Sequence, residues 1–362
     1  MTALSGLLLS LGPETARATS SVTWTLHVPR ADIAFATTTP EATGLYDFPA
    51  RRLDVAVNTV TATVPGDGIA VDVRGQRADG SWSEWVEILA DNPAVLPEST
   101  TSVQTRLVLT PGTAPRGVDL TAWHDGAART AAATPYGTTF RLFATREGLV
   151  GGTTANGHVI VERDHFVALP SRRGLAPRGE GSYTVKVCTL DNARCEWAPV
   201  WDVGPWNTKD DHWNDDRESW RDLPHGEPQA QAAYEDGYNG GRDQFGRTVK
   251  NPAGIDLADG TFWDGLQLPT NTWVNVTYQW TGYGPWGTVE TVGTSLNVRT
   301  APTTAAEKAG FAASTAEVRI ECFLTGTAVD GSQGFSDRWY RLAPGKYVAA
   351  AYVRSGIAPP PC

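Results

Sequence analysis

Apolar and polar residues alternate along much of the chain, and this period of two predicts β-strands. The alternation is clear in residues 69–74 and 103–109, where apolar positions face one way and polar positions the other. An Ala-Asp-Gly turn at 78–80 leads into another run at 82–88, which is typical of a hairpin. Residues 228–238 combine a proline at the start with a glycine near the end, as a helix does. The pattern predicts an all-β chain with one short helix.

Breaks in this pattern divide the chain into three modules. Small polar residues at 126–139 and a Gly/Pro-rich stretch at 283–287 interrupt the predicted strands. At roughly 150 residues per domain, 362 residues accommodate three modules with cores of their own. We predict, in chain order, a β-sandwich at 19–126, a linker at 127–139, a second β-module at 140–282, a linker at 283–287, a third β-module at 288–355 and a tail at 356–362.

Charge and hydropathy exclude two classes of partner. The chain has 40 acidic residues against 30 Lys and Arg, a net charge of −10, and it has no basic stripe that could replace the counterions of nucleic acid. No run of about 18 apolar residues occurs, so no segment is predicted to span a bilayer. The sequence therefore predicts neither nucleic acid nor a membrane span as part of the function.

The first residues have two of the three parts of a secretory signal. Residues 4–11 are apolar, and Ala-Arg-Ala at 16–18 is similar to a cleavage site. A basic stretch before the apolar run is missing, so a frayed N-terminus is the alternative. We expect residues 1–18 to be a signal-like segment of an exported protein.

The four cysteines support export. Cys188 and Cys195 flank a predicted hairpin turn, where a disulfide forms easily, and Cys362 follows three prolines and is best paired with Cys322. No Cys-x-x-Cys pair and no second pair of histidine ligands is present, which argues against zinc. We predict two disulfides, no metal and no cofactor.

The second module carries four short motifs in a fixed order. They are T-A-N-G at 154–157, His165 ahead of Leu-Pro at 169–170, D-V-G-P at 202–205 and I-D-L at 255–257. This order resembles the double-psi β-barrel of rare lipoprotein A, the expansins and related glycan-acting proteins. The chain departs from that pattern at Val203, where the family has arginine, in the longer spacing after His165, and in a long insertion before Asp256.

The resemblance implies that Asp202 is the acid, and then the base, of a lytic cleavage that closes an anhydro-sugar. Asp256 is its second carboxylate, and His165 or His158 orients the substrate or assists proton transfer. The residue types agree, since glycosidic cleavage uses two carboxyl groups and the adjacent Trp206 would raise the pKa of Asp202 by desolvation. The alternatives are a turn role for Asp202, a helix-capping role for Asp256 and structural histidines.

Sugar contacts are expected around these motifs. Thr154 and Asn156 lie in the T-A-N-G stretch with His158, and Trp201 and Trp206 flank Asp202, where indole rings can stack on sugars. The insertion at 209–218 is rich in oxygen ligands but lacks an ordered calcium loop, so we expect a solvated acidic loop there rather than a Ca²⁺ site.

The outer modules have resemblances of their own. The strings L-N-V-R-T-A-P at 296–302 and G-K-Y-V with a later Y-V at 345–353 resemble the bacterial Src-homology-3 domain, a small barrel that binds cell-wall peptides. In that module Trp339 and Tyr340 are the expected binding residues, with a place in the core as the alternative. D-G-S-W-S-E-W at 79–85 resembles an accessory β-domain of actinobacterial cell-wall amidases.

Together these features predict an extracellular or cell-wall protein that binds and remodels peptidoglycan or another wall polysaccharide. Its enzymatic hypothesis is a lytic transglycosylase-like cleavage. The departures from the family pattern keep two alternatives open: an expansin-like polysaccharide-binding protein without catalysis, and a secreted protein-binding or inhibitor module.

Overall fold

The protein is described here from a computed structural model that covers residues 20–28, 33–63, 66–113, 117–126 and 134–362. The signal-like segment 1–18 and most of the predicted linker, 127–133, lie outside these residues. Strands account for 46% of the structure and helices for 9%, which confirms the all-β prediction.

The N-terminal module is one seven-stranded antiparallel sheet. Its strands are β1 (Val22–Leu26), β2 (Gly44–Asp47), β3 (Arg51–Thr63), β4 (Ile69–Gly75), β5 (Val86–Ile88), β6 (Ala94–Leu109) and β7 (Val118–Trp123). The order is β1-β7-β3-β6-β4-β5, with β2 paired to β6. Its apolar face packs around the fully buried Val57, Val73 and Leu107.

The polar face of this sheet is buried as well, because it packs on the central module. Asp72 and Arg106 form a buried ion pair at 2.7 Å, and Arg74 donates to Ser182 of the central module at 2.9 Å. The guanidinium groups of Arg74 and Arg106 lie over the ring of Trp85 at 4.5 and 4.4 Å. The N-terminal sheet is therefore joined to the centre of the molecule through its charged residues.

The central module is built on a closed barrel of six strands. The strands of the central module are β8 (Thr134–Pro135), β9 (Thr138–Arg146), β10 (Val167–Leu169), β11 (Thr184–Thr189), β12 (Cys195–Val203), β13 (Ala253–Leu257), β14 (Thr272–Tyr278) and β15 (Gly282–Tyr283). Strands β8 and β15 pair with each other outside the barrel. The barrel order is β10-β13-β9-β14-β11-β12, and a parallel β10–β12 pairing closes the ring. Leu142, Val167, Val185, Val200 and Ile255 fill the interior.

The predicted helix is confirmed as α1 (Gln229–Asp236), which follows Pro228 and ends at Gly237 with a left-handed φ of 70°. The remaining helical segments are single turns. They lie at Arg172–Gly174, Tyr238–Gly241, Gly260–Gly265, Gln279–Thr281 and Ala350–Tyr352.

The acidic insertion corrects one prediction, because its first half is buried rather than solvated. Asp210 accepts from Arg217 at 2.5 Å and from the backbone N–H of Gln229 at 2.7 Å, which anchors the start of α1. Asp211 accepts from Arg173 at 2.7 Å. The carboxylates of Asp210 and Asp211 thus stabilise the packing of this segment. Among the residues described, no group of three or more potential metal ligands occurs.

The C-terminal module continues the sheet of the barrel. Its strands are β16 (Trp286–Val289), β17 (Leu296–Arg299), β18 (Lys308–Ala312), β19 (Glu317–Arg319), β20 (Cys322–Gly331), β21 (Gly334–Ala343), β22 (Lys346–Ala349) and β23 (Val353–Arg354). Strand β18 pairs in parallel with β12, and a Cβ at Gly310 would lie 1.8 Å from the carbonyl oxygen of Cys195. Trp197 packs in one core with Val298 and Val348. The two modules share sheet and core.

Both predicted disulfides are present. Cys188–Cys195 joins directly paired residues of β11 and β12, and Cys322–Cys362 ties the C-terminus to β20. In the part of the chain that the structure covers, no helix is long and apolar enough to cross a membrane.

Removal of the two disulfides should destabilise the protein to different extents. The bridges span 40 and 7 positions, so loop-closure entropy gives about 4 kcal/mol for Cys322–Cys362 and about 2.5 kcal/mol for Cys188–Cys195. Urea unfolding of the two double Cys→Ala variants measures both values. A larger loss at Cys188–Cys195 would contradict the entropic account.

Candidate functional site

A cavity of about 270 Å³ lies beside one end of the barrel. Residues of the barrel strands and of the segment after β12 line it, and Thr38 and Pro40 reach it from the N-terminal sheet. Asp202 of β12 and Asp256 of β13 both line this cavity. Strand β10 pairs with both strands, and its Ala168 lies opposite each aspartate, so the two carboxyl groups are at the same level of the barrel. The structure thus brings together the two aspartates that the sequence singled out.

Asp202 is held by backbone donors. Its Oδ1 accepts the N–H of Ala155 at 2.7 Å and that of Val203 at 2.8 Å. Ala155 lies 47 positions away in the T-A-N-G turn, so Asp202 does more than shape its own turn. Burial raises the pKa of Asp202, while these donors act in the opposite direction by stabilising the anion.

Asp256 has few donors. It accepts the hydroxyl of Thr145, and burial together with the charge of Asp202 raises its pKa to about 7 despite that bond. Asp259 precedes the helical turn Gly260–Gly265, so the capping role considered for Asp256 is not observed. Asp256 therefore changes protonation near neutral pH.

Glu147 is a third carboxyl group in the cavity, and the sequence did not reveal it. It directly follows β9, and its backbone N–H bonds to the carbonyl oxygen of Leu257 at 2.9 Å. Both carboxyl oxygens are buried without a hydrogen bond of standard geometry. Burial and the charges of Asp202 and Asp256 raise its pKa well above the ordinary value. In the sequence Glu147 lies between an arginine and a glycine, a setting that is typical of a charged residue on the surface.

Three buried carboxyl groups in one cavity cannot all be ionised at neutral pH. Glu147 and Asp202 each shift the pKa of the other, so this pair holds one proton between them, and the backbone donors stabilise the negative charge on the Asp202 side. The cavity therefore offers a proton donor and a carboxylate together, the pair that glycosidic cleavage requires.

Asp256→Asn should stabilise the protein at alkaline pH. A folded-state pKa near 7 against an ordinary 3.8 means that the native state binds this proton more tightly, so stability is full below pH 4 and falls as the pH rises to 7. The loss amounts to about 4 kcal/mol. Denaturation from pH 4 to 8 should show a shallower decline in the variant. An unchanged slope would contradict the raised pKa.

Trp206 is positioned by the turn that follows Asp202. A cis Gly204–Pro205 bond precedes it, and its own φ is 63°. Its indole N–H donates to Asn251 at 3.1 Å, and the guanidinium group of Arg247 lies 5.6 Å from the ring centre. Trp206 lines the cavity, as a sugar-stacking residue would.

Thr154 and Asn156 are buried and shape the T-A-N-G turn instead of lining the cavity. The hydroxyl of Thr154 donates to Asn156 Oδ1 at 2.9 Å, and the Asn156 amide donates to the carbonyl oxygen of Ala176 at 3.1 Å. Together they hold the backbone N–H of Ala155 on Asp202. Their contribution to the site is indirect.

The two histidines lie outside the cavity lining. His158 bonds to Asp164 at 2.8 Å, and its ring packs 4.8 Å from that of Trp201. His165 bonds to the buried Glu196 at 2.7 Å, and Glu196 outweighs the effect of burial and raises its pKa. A catalytic role for His165, and sugar contacts of His158 and Trp201, stay predictions.

In the C-terminal module Trp339 is buried and donates to the carbonyl oxygen of Thr327 at 2.9 Å, which favours its alternative place in the core. Tyr340 is only partly buried in the same strand. Tyr340 is the more accessible of the two for a ligand.

One family model matches the part of the chain that contains the three carboxyl groups of the cavity. Residues 138–277 match the family described as "Domain of unknown function (DUF8814)". The search of curated proteins found no match. The matched region runs from β9 into β14, so the part of the chain similar to this family is the closed barrel together with Glu147, Asp202 and Asp256.

Proposed function

We propose that the protein is a secreted cell-wall protein whose barrel binds a wall glycan, peptidoglycan above all, and cleaves its glycosidic bonds. The observation that carries this proposal is the cluster of Glu147, Asp202 and Asp256 in one cavity with Trp206. Raised pKa values on all three carboxyl groups supply the protonated acid that the leaving oxygen needs at neutral pH.

The proton shared by Asp202 and Glu147 is donated to the leaving oxygen as the glycosidic bond breaks. The resulting Asp202 carboxylate, stabilised by the N–H groups of Ala155 and Val203, then accepts the proton of a hydroxyl on the same sugar as that oxygen attacks the anomeric carbon. The glycosidic bond that breaks is replaced by the new bond between this hydroxyl oxygen and the anomeric carbon, which closes the anhydro-sugar, and no water is consumed. In its ionised form Asp256 supports proton retention by the pair through its charge.

The flanking modules fit the same proposal. The motif resemblances support a double-psi barrel in the centre, an accessory β-domain before it and a Src-homology-3-like module after it that binds wall peptides through the surface near Tyr340. The two disulfides are compatible with secretion, because such bonds persist in oxidising compartments.

Incubation of the full chain with purified sacculi tests this function. We expect soluble anhydro-sugar fragments, detected by mass spectrometry, and none with heat-denatured protein. Sedimentation with sacculi without fragment release would support the expansin-like alternative. If the protein neither binds sacculi nor releases fragments, the proposal is contradicted and the protein-binding module is the alternative that is left.

One sequence feature favours the non-catalytic alternative. The chain has Val203 where the resembling family has arginine. Binding of a short saccharide without cleavage would agree with this departure.

A further inference from the structure

The N-terminal sheet contributes a loop to the cavity. This loop, residues 36–43, starts after Phe35 and ends before Gly44, which form an isolated antiparallel bridge. The N–H of Ala36 donates a hydrogen bond to the carbonyl oxygen of Thr43 at 2.9 Å and so closes the loop. Thr38 and Pro40 from this loop line the cavity that holds Asp202.

The loop is anchored to the central module on the same side as the T-A-N-G turn. The N–H of Thr37 donates to the carbonyl oxygen of Thr153 at 2.8 Å, and the N–H of Thr153 donates to the Thr37 hydroxyl at 2.8 Å. Nearby, Leu45 packs against Ala155 and Val203. These contacts fix the loop relative to the two backbone donors of Asp202.

The hydroxyl of Thr38 has one proton and two neighbouring acceptors. Its oxygen lies 3.2 Å from the carbonyl oxygen of Thr153. Thr38 also lines the same cavity as Asp202, and hydrogen bonding by its hydroxyl acts to lower the pKa of the Asp202 carboxyl group. A threonine hydroxyl donates one hydrogen bond at a time. It can therefore turn to Asp202 when that group is ionised and to Thr153 when it is protonated.

We propose that Thr38 is a positioning residue for Asp202, and that the loop 36–43 is a wall that restricts the cavity to a short saccharide or the end of a glycan chain. The proposal rests on the glycan-cleaving function above and deepens it. The N-terminal module is then part of the active unit and determines which ligands enter it.

The size of the cavity supports the second half of this proposal. A volume of about 270 Å³ lies near the lower end of the range for ligand pockets, so it accommodates a short saccharide or one end of a glycan chain. Because the loop is bonded to Thr153 through both backbone and side chain, it is a fixed wall.

Thr38→Val and Thr23→Val form a matched pair of variants in the full chain. Thr23 is exposed on β1, outside the loop and the cavity lining, and its hydroxyl lies 3.3 Å from that of Thr121. Thr38→Val should slow fragment release from sacculi about 3- to 10-fold, the effect of one lost hydrogen bond of ordinary strength. It should also move the acid limb of the pH–rate profile upward. Thr23→Val should change neither.

A shortened loop tests the wall. Replacing residues 38–42 by two glycines retains the Phe35–Gly44 bridge. We expect the variant to bind long chito-oligosaccharides more tightly than the wild type does and to release longer fragments from sacculi. If the folded variant shows the same preference for saccharide length as the wild type, the proposal that the loop restricts the cavity is wrong.

A readout without catalysis separates this proposal from the function on which it rests. The carboxyl resonance of Asp202, followed by NMR against pH, should titrate up to about 1 pH unit higher in Thr38→Val than in the wild type. Unchanged titration would overturn the positioning role. If the wild type releases no fragments but the titration and length preference shift as expected, only the cleavage fails.

Discussion

Asp202→Asn is expected to lower the release of soluble fragments from sacculi by a factor of about 10² or more, the contribution of a positioned general acid. Asparagine keeps the shape of the side chain and an oxygen that accepts the N–H groups of Ala155 and Val203. It cannot hold the proton that Asp202 shares with Glu147. Mass-spectrometric quantification of fragments over time measures the loss, and sedimentation should show binding to sacculi unchanged.

Asp264→Asn is the matched control for this result. Asp264 is 42% exposed, is paired with Arg163 on the surface and lies outside the cavity. The same chemical change there should leave release unaltered. Equal activity of Asp202→Asn and the wild type would contradict the acid role. A variant that no longer folds would show that the Asp202 carboxylate serves the turn, and Glu147→Gln would then test the shared proton independently.

Glu84→Ala is expected to destabilise the protein by about 3–5 kcal/mol. Glu84 belongs to the N-terminal module, yet it accepts three hydrogen bonds from the central one: from Trp213 at 2.6 Å, Trp280 at 2.7 Å and Asn214 at 2.7 Å. Arg173 adds an ion pair at 3.4 Å. Alanine leaves two buried indole N–H groups without an acceptor, at about 1–3 kcal/mol each.

Urea denaturation and limited proteolysis measure this effect. We expect the N-terminal sheet to become the first region cleaved, because the variant loosens its docking. Glu84→Gln should be intermediate, since an amide oxygen retains part of the acceptor. Glu98→Ala is the control, because Glu98 is 44% exposed and its ion pair with Arg77 contributes about 0–1 kcal/mol. Similar losses in Glu84→Ala and Glu98→Ala would contradict a specific docking role.

Several features followed from local sequence. The period of two predicts strands because successive side chains of a strand point to opposite faces, and the structure confirms it in β4 and β6. Pro228 and Gly237 bounded α1 through their own backbone preferences. The cysteine pairs were predictable because Cys188 and Cys195 flank one hairpin and two cysteines then remained.

Burial of charged residues was decided by the tertiary structure. Asp72 alternates with valines as a solvent-facing residue would, and Asp210 lies in an acidic run, yet Asp72 is buried against Arg106 and Asp210 against Arg217. A strand pattern shows which face a residue occupies, but only the packing of modules shows what covers that face.

The site divides in the same way. The sequence by itself identified Asp202, Asp256 and Trp206, because their Gly-Pro and Ile-Asp-Leu surroundings form recognisable local motifs. Glu147 and Thr38 have no such motif. They reach Asp202 through the parallel β9–β13 pairing and through the docking of the N-terminal sheet. Their chemistry depends on burial and on charges contributed by distant segments, and these exist only after the chain has folded.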